Sequence, residues 1–221
     1  MKKDDIKIIN LDFVNAFLVK LDEGFILIDT GLPSHWERLE SELITAGCLP
    51  GKLKLVLITH GDVDHTGNCA KLQEKYKTRI AIHHEDAAMA EQGVYMKRKI
   101  RTWRGKLLSI LKRLKRRRFT FERFKPDLFL TDGQKLNEYG FNASVVHIPG
   151  HTKGSTGIVT EQGNFFAGDT FTNVRKPGIA MYIENWGQLR NSLARLKTMK
   201  IKTIYPGHGA PFEMEIITGQ L

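Results

Sequence analysis

Between Thr59 and Asn68 the chain reads THGDVDHTGN, and a span of six positions within it holds His60, Asp62, Asp64 and His65. Imidazole nitrogens and carboxylate oxygens are the ligands that zinc, iron and manganese take. Four on one turn exceed what packing asks for. A plainer reading makes Asp62 or Asp64 the cap of a helix that starts at His65, but it leaves three other residues without a role. His151 follows VVHIPG, Asp169 follows NFFAG, and His208 follows TIYPG. Each comes directly after a run of β-type residues, as His60 does after LVLIT, and loops at the same ends of neighbouring strands converge. A glycine stands beside each one (Gly61, Gly150, Gly168 and Gly207), so the backbone can turn sharply and aim the side chain inward. These seven residues are enough for two metal ions, with water filling the remaining positions. The expected chemistry is hydrolysis of an ester-like bond.

The elements that must position these residues are legible in outline. FVNAFLVKLDEGFILIDTG reads as two strands joined in a hairpin at Asp22, Glu23 and Gly24. Residues 34–46 read as a helix capped by Ser34, with Trp36, Leu39 and Leu43 on one face and Gly47 at its end. KLKLVLIT is a buried strand running into the motif, residues 65–76 turn helical, and RIAIH returns to strand. Further on, DLFL, ASVVHIPG and STGIVTEQGNFFAGD are strands, the last a hairpin turning at residues 161–164. Residues 188–199 form a helix, and KTIYPGHG is a final strand ending in a loop. Two strand groups, each with its own helices, predict two sheets packed face to face with helices outside, folded as one domain over residues 1–221.

The 221 residues, 41% of them hydrophobic, can bury a sizeable core. The longest aliphatic runs, such as FILI and LVLI, fall far short of the roughly 18 residues of a membrane span. MKKDDIKIINLDF does not read as a signal peptide, so a cytoplasmic location is expected. Cys48 and Cys69 cannot make a disulfide framework and read as reduced, Cys69 as helix packing. The net charge of +10 is local: residues 97–125 hold fourteen Lys and Arg against one acid, a balance of +13, which leaves −3 for the rest. Within that segment Ile100, Trp103, Leu107, Leu111 and Leu114 line one helical stripe, which predicts a basic amphipathic insertion. It reads as a docked helix doubling as a lid over a site for a small-molecule substrate, anionic or amphiphilic. Nucleic acid or an anionic membrane surface is its rival partner. His35, His83, His84 and His147 read as structural histidines, while Tyr182 and Tyr205 could supply an acidic hydroxyl near a substrate oxygen, IYPG being equally a packed strand end.

Five pieces in order resemble the metallo-β-lactamase superfamily of metallo-hydrolases: DTG at 29–31, THGDVDHTGN at 59–68, PGHTKGS at 149–155, AGDT at 167–170 and YPGHG at 205–209. The resemblance implies an α/β fold, an αβ/βα four-layer sandwich of two mixed sheets with helices outside and a two-metal site at one sheet edge. It implies that His60 and His151 hold the first ion, that Asp64, His65 and His208 hold the second, and that Asp169 bridges them. Asp29 would orient a ligand by hydrogen bonding. The implied cofactors are two divalent ions, zinc first, with iron or manganese as alternatives. In the implied mechanism a metal-bound hydroxide attacks a lactone, thioester, phosphodiester or amide. Asp169 positions both ions, and Asp64 also takes a proton. Asp62 departs from the family, which most often has histidine there. A carboxylate makes the first position harder and turns it from zinc toward iron or manganese, while the short side chain allows a water-mediated contact instead. Flavodiiron oxidoreductases of the superfamily carry a glutamate there, so an iron-dependent oxidoreductase is the rival enzyme reading.

Overall fold

The computed structural model describes residues 5–92 and 122–219. All but the last four residues of the basic segment 97–125, and with them the expected amphipathic stripe, lie outside the described residues.

One sheet runs in sequence order: β1 (Ile6–Leu11), β2 (Val14–Lys20), β3 (Phe25–Ile28), β4 (Leu53–Leu57), β5 (Arg79–His83) and β6 (Leu128–Leu130). Its first two pairings are antiparallel and the rest parallel. The second comprises β7 (Ala143–His147), β8 (Thr156–Thr160), β9 (Asn164–Asn173), β11 (Thr203–Gly209) and β12 (Phe212–Glu213), in the order β12-β11-β9-β8-β7. The short β10 (Gly178–Ile179) pairs with β9.

Side chains alternate between faces along each strand, so each sheet serves two cores. Phe17, Val19, Ile26, Ile28, Leu55 and Leu57 meet Val145, Ile158, Phe166 and Tyr205 of the other sheet. Their neighbours Leu18, Leu27 and Val56 face helices α1 (Trp36–Thr45) and α3 (Cys69–Tyr76). On the far side, Phe165, Ala167 and Ile204 pack under α5 (Trp186–Lys197) and α6 (Glu215–Thr218) through Leu189, Leu193, Leu196 and Ile217. All four residues of β3 are buried, as a strand covered on both faces requires. The result is the four-layer sandwich. No described helix is long and apolar enough to cross a membrane. Both cysteines are buried and free, and burial pushes the Cys48 thiol up to about 12.

Three helices differ from the sequence expectation. The helix expected over 34–46 starts at Trp36: Ser34 lies in a 3-10 turn, Pro33–His35, and caps nothing. The helix expected over 65–76 is two pieces, α2 (Val63–Thr66) and α3, parted at Gly67 and Asn68. There the Asn68 amide donates to the carbonyls of Thr30 and Leu32, and the Gly67 N–H to that of Gly31, so the break docks the DTG loop. The helix expected over 188–199 begins at Trp186, because the Asn185 side chain caps it by accepting from the N–H groups of Gly187 and Gln188.

Candidate metal centre

Asp169 and His208 do not sit in loops after their strands but inside β9 and β11. The parallel register between those strands slips between Tyr205 and Pro206 and again between Pro206 and His208. Such bulges re-aim side chains, and here they turn Asp169 and His208 to the sheet edge where β4 and β7 end. Two glycines make the approach feasible. A methyl on Gly207 would sit 2.6 Å from Asp169 Oδ1, and one on Gly168, whose φ is +49°, would sit 2.6 Å from Thr59 Oγ1.

Asp29, just after β3, is fully buried. Its carboxylate accepts the Thr59 N–H at 2.9 Å, the Thr59 hydroxyl at 2.8 Å and His65 Nδ1 at 2.8 Å. With its proton given to Asp29, the Thr59 oxygen accepts from His60 Nδ1, 3.0 Å away. One carboxylate thus orients His65 directly and His60 through Thr59. His151 Nδ1 donates to the Tyr182 carbonyl, and His208 Nδ1 to the Phe13 carbonyl at 2.6 Å. A carbonyl only accepts, so Nδ1 carries the proton in both rings and Nε2 is left as the donor atom for a metal.

These Nε2 atoms and three carboxylates form two adjoining groups. His60, Asp62, His151 and Asp169 make one, and Asp64, His65 and His208 the other, with ligand atoms in each within 4.8 Å of one another. Asp62 Oδ2 lies 3.5 Å from His60 Nε2 and 3.4 Å from His151 Nε2. Asp169 reaches both groups: Oδ2 is 3.6 Å from His151 Nε2 and 3.3 Å from His208 Nε2, and Oδ1 is 3.3 Å from His65 Nε2. His208 Nε2 is 3.6 Å from Asp64 Oδ2. Two ligands about 2.0–2.1 Å from one tetrahedral ion stand about 3.3–3.4 Å apart, so this spacing suits joint ligation better than hydrogen bonding. His60 Nε2, His65 Nε2 and Asp169 Oδ1 are buried and make no hydrogen bond among the described residues. Each would cost about 1–3 kcal/mol if nothing satisfied it, and a metal ion fits that need.

The electrostatics are those of opposite charges packed together. Burial opposes protonation of His65, but the charges of Asp29 and Asp169 outweigh it and hold its pKa well above the usual imidazole value. Burial works against the Asp169 charge, yet His208 and His65 hold its carboxyl well below the usual range. His208 is pushed up to about 9: burial opposes the shift, and the Asp169 charge overcomes it.

All seven residues singled out from the sequence meet here. The others do not. His35 faces Asp12, 3.3 Å away, and His83 stacks on His147 with ring centroids 4.1 Å apart. Tyr205 packs in the core against Phe17 and Phe166, while Tyr182 contributes its backbone carbonyl. Sequence reasoning missed Thr59 and Phe13. Phe13 stacks on His208 at 5.9 Å with its plane tilted by only 6°, and stays 52% exposed, an apolar wall beside the ligands. In the sequence Phe13 reads only as the first residue of the strand FVNAFLVK, with nothing to mark it as a neighbour of His208.

The family model described as the metallo-β-lactamase superfamily matches residues 9–208. The chain belongs to that superfamily. Among curated relatives, a lactamase-like protein, aptB, of Emericella nidulans is 26% identical over 206 residues, covering 90% of this chain and 52% of the relative. The acyl-coenzyme A thioesterase MBLAC2 of Homo sapiens is 28% identical over 162 residues (64% and 52%). A hydroxyacylglutathione hydrolase of Pelagibacter ubique is 27% identical over 159 residues (71% and 52%). The chain therefore spans about half the length of these superfamily relatives. A metallo-β-lactamase of Cronobacter sakazakii superposes with a TM-score of 0.71 at 20% identity, covering 93% of this chain and 76% of that one, which speaks for the fold alone.

Proposed function

We propose that this chain is a metal-dependent hydrolase that cleaves an ester-like bond in a small molecule, a thioester first among them. The observation that carries the reading is the set of buried, inward-facing ligand atoms without hydrogen bonds among the described residues, which His60, His65 and Asp169 contribute to two adjoining groups. His60, Asp62 and His151 would hold one divalent ion and Asp64, His65 and His208 a second, with Asp169 between them. When bound, such ions acidify water toward neutral pH and polarise a carbonyl oxygen. Asp169 keeps the two groups in register. Asp64 and His208 are the most open of the seven, with 19% and 18% of their side chains exposed, so Asp64 is placed to accept a proton on the substrate side. Phe13 offers an apolar face to an acyl group.

One of the relatives is named an acyl-coenzyme A thioesterase and another a hydroxyacylglutathione hydrolase, after substrates carried on the thiols coenzyme A and glutathione. Both thiol carriers are anionic. Lys153, two residues from His151, and Arg175 and Lys176, in the turn after β9, are exposed cations suited to such a carrier. Zinc is the first choice of ion. Asp62 favours iron or manganese in the first position, which keeps an iron-dependent oxidoreductase as the second reading.

Elemental analysis of protein purified without chelator, beside a panel of thioesters, lactones and phosphodiesters, tests the proposal. Close to two ions per chain and metal-dependent thioester hydrolysis are expected, with the rate falling by at least about a hundredfold in Asp169→Ala. Less than about half an equivalent, with no thermal stabilisation by added zinc, manganese or iron, would overturn the metal reading. Hydrolysis confined to another ester class would overturn the thioester assignment. Bound iron with oxygen consumption and no hydrolysis would favour the oxidoreductase.

A further inference from the structure

Helix α4 (His84–Gln92) carries none of the seven ligand residues, yet Asp86 in its first turn ends among the loops that hold three of them. The side chain is buried, with the residue 1% exposed. Asp86 Oδ2 accepts the Gly61 N–H at 2.9 Å and the Thr152 hydroxyl at 2.7 Å, and Oδ1 accepts the Gly154 N–H at 2.9 Å. Gly61 stands between His60 and Asp62, and Thr152 follows His151. A carboxylate is costly to bury unless its oxygens are satisfied, and here all three donors come from the two loops of the first ligand group. Both loops lack a side chain where the helix approaches. A methyl on Gly154 would sit 2.6 Å from Asp86 Cγ, and one on Gly61 would sit 2.4 Å from Met89 Cε.

We propose that Asp86 is a positioning residue for the first metal position. By tying the loop of His60 and Asp62 to the loop of His151, its carboxylate sets the separation of their ligand atoms. The proposal rests on reading those residues as metal ligands. Gly61 and Thr152 adjoin His60, Asp62 and His151, and none of the three donors adjoins Asp64, His65 or His208, so the brace acts on one position and not on the other. A residue that merely helped the chain fold would not distinguish them.

The test is titration of the metal-free full chain with zinc against a competing chelator. It is run in an Asp64→Ala background, which leaves the first position, and in a His60→Ala background, which leaves the second. Asp86→Ala is expected to weaken the event in the Asp64→Ala background by about 10–100-fold, the scale of lost support behind a ligand, and to leave the other unchanged. Asp86→Asn should fall between, since the amide keeps one acceptor oxygen and turns its NH2 toward a donor. Gly154→Ala retains the carboxylate but crowds it, and should give the same one-sided loss even if Asp86→Ala fails to fold. Equal weakening of both events, or no weakening in Asp86→Asn and Gly154→Ala, overturns the brace. Absence of zinc uptake by the parent chain overturns the metal reading itself, and the brace with it.

Discussion

At position 62 the carboxylate reaches the first ligand group, with Oδ2 within 3.5 Å of both His60 and His151 Nε2. Imidazole is a better ligand for zinc than a second carboxylate, so Asp62→His should raise zinc retention in that position and lower its preference for iron or manganese. Metal content after dialysis against chelator checks it, and a variant that binds less metal with unchanged selectivity would remove Asp62 from the first position. Thr59 offers a subtler test, because its hydroxyl is the link between Asp29 and His60 Nδ1. Thr59→Val keeps the shape and deletes the link, while the direct bond from His65 to Asp29 remains. Zinc affinity at the first position should fall by about 10–100-fold with the second position retained. An unchanged affinity would mean that His60 needs no partner on Nδ1.

Among the elements, β11 must end where His208 meets Asp169, and β2 of the other sheet holds it there. The Asn15 amide donates to the carbonyls of Pro206 at 3.1 Å and Gly209 at 2.7 Å. Asn15→Ala strands both acceptors beside the register slip, so it should cost about 1–3 kcal/mol in urea unfolding and weaken metal binding at the position proposed for His208. A stable variant with intact metal content would assign the slip to β9 alone. Gly150 makes the matching contact on the other side: its φ is +150°, and a methyl there would lie 2.6 Å from the Leu189 Cβ of α5. Gly150→Ala should therefore destabilise by about 1–3 kcal/mol through overpacking and backbone strain, and displace His151 with it.

Across the whole molecule, stability should depend on a histidine outside the two candidate ligand groups. Burial first, then the neighbouring His147 and His84, lower the pKa of His83 to about 4, against the opposing pull of Asp86 and Glu85. The folded state keeps His83 neutral while the unfolded chain protonates it at its ordinary value near 6.5. That contribution is present above about pH 6.5 and is lost as pH falls toward 4, at up to about 1.4 kcal/mol per pH unit. His83→Phe keeps a ring to stack and should flatten the stability profile in that window; an unchanged slope relative to the parent would sink the assignment. The basic segment belongs to this scale too, since its +13 stands against −3 elsewhere. Replacing residues 99–117 by a short Gly/Ser linker should leave metal content intact and raise KM for large substrates. An unchanged substrate profile would end the lid reading.

The residue types and spacing from His60 to His208 were enough to collect the candidate ligands, because a metal site needs particular donor atoms and the chain spells them beside β-type runs. Alternating apolar residues likewise predicted two sheets, since period-two patterning is local. The helix expected over 65–76 is where local pattern failed: its apolar spacing continues across Gly67 and Asn68, and only contacts with Thr30 and Leu32, more than 30 positions away, break it. Tertiary structure also decided the supports of the site. The Tyr182 and Phe13 carbonyls orient His151 and His208, but every residue has a carbonyl, so nothing in the sequence marks these two. Asp86 reads as an ordinary acid in the first turn of a helix until Gly61, Thr152 and Gly154 are folded against it. Donor chemistry is a property of single residues and can be read along the chain; its orientation is a property of pairs, which only folding brings together.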